Sequence, residues 1–84
     1  MEETILTIRS LTYVQRAQRM LEKRGVRTQT MRVPAGLVPE GCAYALRLPP
    51  GRLWEIRLLL EQNQLHPGRA FTRRGDGGWS EVRL

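Results

Sequence analysis

Cys42 is the only cysteine in a chain of 84 residues, and it ends a loop that two prolines stiffen. The run RVPAGLVPEGC places Arg32, Pro34, Pro39 and Gly41 directly ahead of the thiol. Proline restricts the unfolded chain, so such a loop can keep one shape without regular structure. A side chain at a loop–strand junction is held yet reachable, as a thiol must be to take an atom from one partner and pass it to another. The reacting form is the thiolate. Arg32 is the nearest basic residue along the chain, and positive surroundings favour both that anion and a persulfide anion replacing it. A plainer role competes: Cys42 alternates with Tyr44, Leu46 and Leu48, and free cysteine is among the most buried residue types. On residue pattern alone the plainer role is the stronger.

The other reactive side chains form no comparable constellation. His66 precedes Pro67 and Gly68 in a turn, with no second histidine to share a metal or activate a thiol. Glu2, Glu3, Glu55 and Glu61 make no paired-carboxylate pattern. The Asp76-Gly77-Gly78 segment lacks the further ligands of a calcium loop. No phosphate-cradling glycine motif precedes a helix. One cysteine builds neither an internal disulfide nor a cysteine-rich zinc site, so no metal or cofactor is expected. Trp54 and Trp79 suit core or rim packing.

The composition narrows the class. Hydrophobic residues make up 40% and charged residues 26% of the chain, too apolar for disorder. No apolar run approaches the roughly 20 residues of a membrane span. The acidic opening Met1-Glu2-Glu3 is unlike a signal peptide, so a cytoplasmic protein is expected. Fourteen Lys plus Arg against eight Asp plus Glu give a net charge of +6, almost all of it arginine. Arginine favours planar phosphate and carboxylate partners. An RNA-recognition module would add aromatics on its central strands, but TILTIR has none and CAYALRL only Tyr44. Arg16, Arg19, Lys23, Arg24, Arg73 and Arg74 therefore read first as a solvated face that steers acidic partners.

Four strands and two helices must position the thiol. Thr4 to Arg9 has β-branched strand composition. Ser10 is a good N-cap for a helix closed by Gly25, with Val14, Ala17 and Leu21 on its apolar stripe. Val26 to Val33 suits an edge strand, Pro34 to Gly41 a loop, and Cys42 to Leu48 a third strand. A second helix runs from about Arg52 to Gln64 and stops at His66-Pro67-Gly68. Arg69 to Leu84 reads as a strand, a Gly75–Gly78 turn and a short return strand. The order β-α-β-β-α-β predicts one domain over residues 1–84: a ferredoxin-like α+β sandwich, two helices on one face of a four-stranded antiparallel sheet. The loop from 34 to 41 is longer than a hairpin needs. Both helices start after the C-terminal ends of strands, whereas Cys42 starts one, so helix N-termini are not expected near the thiol.

Three stretches carry a resemblance. TILTIRSLTYVQRAQRMLEKRGV, RVPAGLVPEGC and CAYALRL followed by an amphipathic helix resemble a family of small bacterial selenium/sulfur carrier-like domains, over about residues 4–74. By position, Cys42 falls on the family cysteine and Pro34 on its loop proline. Ala43 departs from the family, which has glycine there, and its narrower backbone freedom alters how a large partner approaches. The resemblance implies that Cys42 carries sulfur or selenium, as a persulfide or selenopersulfide, from a cysteine desulfurase-type donor to an acceptor enzyme. Arg32, Pro34, Pro39, Gly41 and Ala43 would support it, and the protein would present an atom rather than catalyse a reaction. With the resemblance counted, this reading leads. The alternatives are an arginine-rich module for RNA or an acidic protein, with Cys42 structural, and a dimerisation domain that pairs through its second strand.

Overall fold

The computed structural model describes residues 3–39 and 44–84. Seven elements follow in order: β1 (Thr4–Ile8), α1 (Leu11–Lys23), β2 (Gln29–Arg32), β3 (Tyr44–Leu48), α2 (Leu53–Gln62), β4 (Ala70–Arg73) and β5 (Trp79–Val82). The strands form one antiparallel sheet in the order β2-β3-β1-β4-β5. The α+β class with two helices is as the residue pattern requires. The four-stranded sheet is corrected to five, because the return strand pairs along its whole length with β4, Ala70 opposite Val82 through Arg73 opposite Trp79. The turn between them is built from its own residues: Asp76 accepts from the Gly78 N–H at 2.8 Å and from Arg74 at 3.2 Å, and Gly77 takes φ 90. Those two partners, the Gly78 amide first, hold the Asp76 carboxyl below the usual aspartate range.

Local chemistry sets the helix ends. Ser10 is extended and its hydroxyl accepts from the Tyr13 N–H at 3.2 Å, satisfying one open donor of α1. At the other end Gly25 takes φ 78, and Val26 donates to the Leu21 carbonyl at 2.9 Å. This is the glycine-closed cap in which the residue after the glycine packs back on the helix. Val26, 1% exposed, therefore belongs to the cap, and β2 shortens to Gln29–Arg32 from the expected 26–33. The second helix ends at Gln62, not Gln64, in a related cap: Gln64 takes φ 57 and Leu65 donates to the Leu60 carbonyl at 2.9 Å.

The sheet is apolar on both sides. On the helix side Leu6, Ile8, Leu46, Leu48 and Ala70 pack against Val14, Ala17 and Leu21 of α1 and Ile56 and Leu60 of α2. β1 is central, paired to β3 and β4, and all five of its residues are buried. A smaller cluster covers the opposite face: Ile5, Ala45, Phe71 and Val38, with Met31, Val33, Leu37 and Trp79 around them. Val38 and Leu37 come from the loop after β2, so that loop lies across the face the helices leave open. Its extra length thus has a packing reason, since without it Ile5, Ala45 and Phe71 would face water.

Candidate functional site

Gly41, Cys42 and Ala43 lie outside the described residues. The chain on either side of them is fixed at both ends. Arg32 closes β2 and stands opposite Tyr44, the first residue of β3. Its guanidinium lies over the Tyr44 ring, 5.8 Å from the centroid, a cation–π contact two residues from Cys42. Pro34 opens a turn in which its carbonyl accepts from the Leu37 N–H at 3.2 Å. Gly36 at the third position takes φ 78, the left-handed conformation such a turn requires there. Val38 then plugs the back-face cluster, and Pro39 follows exposed. The side chains that tie the loop down are Leu37 and Val38. An apolar pair inside a Pro/Gly-rich loop was the available signal for them.

The antiparallel register sets what lies beside the start of β3. β1 runs opposite to β3, so its last residue, Ile8, stands beside Tyr44. Arg9, Ser10 and the N-terminus of α1, the positive end of that helix, therefore sit at the sheet end where β3 begins. The expectation that helix N-termini lie away from the thiol falls on Cys42, outside the described residues.

The approach to β4 lies at this end too. The Thr7 backbone donates to the Arg69 carbonyl at 2.7 Å, and the Thr7 carbonyl accepts from the Gly68 N–H at 2.8 Å. Thr7 is fully buried, and its hydroxyl accepts from the Arg69 N–H at 2.7 Å. A β-carbon on Gly68 would stand 2.7 Å from that hydroxyl, so glycine is the residue that lets the two chains meet.

Beside this junction a cavity of about 120 Å³ is lined by Ile8, Arg9, Tyr13, Gln64, Leu65 and His66. His66 thus joins a concave surface although its turn position gave no hint of it. Gln64 holds a left-handed conformation that costs a side-chain-bearing residue about 1 kcal/mol and that glycine adopts freely. Gln64→Gly is expected to stabilise the protein by about 0.5–1 kcal/mol, read as a higher urea midpoint at unchanged slope. An unchanged or lower midpoint would show that the glutamine side chain earns its place by contacts.

Charge is distributed unevenly. Arg47 and Arg73 both hold Glu3, at 2.6 and 3.2 Å, and Arg52, Arg57, Arg69 and Arg74 each hold a carboxylate of their own. Arg9, Arg16 and Arg32 form none of these ion pairs and rest instead on tyrosine rings. Among the described residues Arg9 and Arg32 thus stand outside these ion pairs at the end of the sheet where β3 starts, Arg16, Arg19 and Lys23 lie exposed along α1, and Arg24 and Arg27 follow its C-terminus. Among the described residues no three His, Cys, Asp or Glu side chains gather as a metal site. The outward positions of β1 and β3, where RNA-recognition modules stack bases, are Ile5, Thr7, Ala45 and Arg47; the first three are fully buried on the face that carries the loop. Among the described residues no helix is long and apolar enough to cross a membrane.

No curated protein and no solved structure matches the chain significantly. One family model does match, over residues 3–71, which takes in everything from β1 to the start of β4 and leaves β5 outside. That span contains Cys42 with its anchored loop, and by it the chain belongs to the family described as "Putative Se/S carrier protein-like".

Proposed function

We propose that the protein carries sulfur or selenium on Cys42. The Cys42 thiolate attacks the terminal sulfur of a persulfide on a cysteine desulfurase-type donor. A new S–S bond forms on Cys42, the donor's S–S bond breaks, and the donor cysteine leaves as a thiolate that takes up a proton. Sulfur moves with no net oxidation or reduction, and a selenopersulfide transfers by the same exchange. The acceptor enzyme's nucleophile then attacks the terminal atom and returns Cys42 to the thiolate.

The observation that carries this reading is the fastening of the chain on both sides of the cysteine: Val38 in the back-face cluster, and Tyr44 in the ladder beneath Arg32. A thiol between two such anchors is limited in reach. Arg32 and the start of α1 supply the positive field that favours thiolate and persulfide anions. Incubation with a cysteine desulfurase and cysteine should add a single sulfur to the intact mass, removed by dithiothreitol, and Cys42→Ser should abolish the addition completely. A protein left unmodified, with a Cys42 that resists alkylation in the folded state, would refute the proposal.

The exposed cations of α1, Arg16, Arg19 and Lys23, support a second reading as a docking face for an acidic protein or RNA. It requires strongly salt-dependent binding that survives Cys42→Ser.

A further inference from the structure

We infer that the cavity between β1, α1 and the end of α2 binds a small monocarboxylate with a short apolar stem. The floor is apolar and buried: Ile8 is 1% and Leu65 6% exposed, with the half-buried Tyr13 ring beside them. The rim is polar: Arg9, Gln64 and His66 are all exposed and carry donors. Arg9 lines this space with its guanidinium 6.0 Å from the centroid of the Tyr13 ring, and Arg16 of α1 lies 5.9 Å from the same centroid. Neither joins the ion pairs that the described residues form. The tyrosine face offsets an unpaired guanidinium charge only in part. A ligand carboxylate would supply the missing negative charge, and guanidinium matches its planar geometry with two parallel hydrogen bonds.

Size and polarity select within the anions. A cavity of about 150 Å³ accommodates benzene, so about 120 Å³ suits a propionate-sized molecule. A dianion such as phosphate would lay charged oxygens on Ile8 and Leu65 and lose hydration there without compensation. A neutral amide of the same shape would leave the Arg9 charge as it is. The site is independent of the sulfur chemistry and stands whether or not Cys42 loads.

Titration of the whole protein with propionate, followed by amide NMR, tests it. Saturable shifts of Ile8, Tyr13, Gln64 and Leu65 with millimolar affinity are expected, as befits so few ligand atoms. Propionamide should produce no saturable shift, and inorganic phosphate should bind more weakly than propionate. Arg9→Gln should weaken propionate binding about tenfold or more, the size of a lost charge-assisted hydrogen bond. Arg19→Gln, a charge change away from the cavity lining, should leave affinity unchanged. Arg9 is exposed, so its variant keeps the fold. Absent saturation, equal binding of propionamide, phosphate binding as tightly as propionate, or an unaffected Arg9→Gln would each overturn the assignment.

Discussion

Phe71→Ala is expected to cost about 3–5 kcal/mol and to free the loop that leads to Cys42. Phe71 is 3% exposed on the face of the sheet away from the helices, directly opposite Ile5 in the β1–β4 ladder. It is the largest buried side chain of its cluster, which it shares with Ile5, Ala45 and Val38. Alanine leaves a void there that the sheet cannot collapse to fill, because Ile5 and Ala45 are held by backbone pairing. Val38 then loses the surface it packs on. Two measurements read the effect: the urea midpoint for the global loss, and limited proteolysis under native conditions for the segment from Val33 to Pro39. Cleavage should quicken by more than the global loss explains, because the loop opens locally once its anchor is gone. A loop that stays protected in a destabilised protein would show that something other than this cluster holds it.

Leu46→Ala is expected to cost about 2–5 kcal/mol without that local signature. Leu46 is fully buried on the helix side, opposite Leu6 in one ladder and Thr30 in the other. It belongs to the large cluster that joins both helices to the sheet, so its loss weakens the whole domain. Proteolysis of the loop should then rise only as the globally unfolded fraction rises. For a domain this size the remaining stability is small, since whole domains are held by about 5–15 kcal/mol. The contrast between the two variants separates stability of the fold from fastening of the site. A Leu46→Ala loop cut as selectively as in Phe71→Ala would mean that the helix-side cluster fastens the loop as well.

Much of the architecture was legible locally. Ser10 and Gly25 bracket α1 because a hydroxyl next to open amides and a glycine able to turn left-handed act within a few residues of themselves. The return strand was legible in its Gly-Asp-Gly-Gly turn for the same reason, although the count of strands did not include it. Val26 was misplaced into a strand, since a β-branched residue after Gly25 reads equally as strand composition and as the apolar partner of a helix cap. The long loop was visible as an excess over hairpin length, but its purpose was not. Whether Leu37 and Val38 meet water or a sheet depends on which face the helices leave bare.

The site divides along the same line. One cysteine, its proline-framed loop and the family to which the chain belongs can all be read from the order of residues, because each is a property of adjacent positions. The company gathered at the end of the sheet where β3 begins cannot. Arg9, Tyr13 and Arg16 come from the first helix and its approach, Gln64 and His66 from the end of the second, and Tyr44 from the middle of the chain. Antiparallel pairing of β1 with β3 sets Ile8 beside Tyr44 and brings a helix start to the place where a strand begins. Residue types along one strand do not encode register with a distant partner; that follows from burying two apolar faces at once, which only the assembled sheet can do.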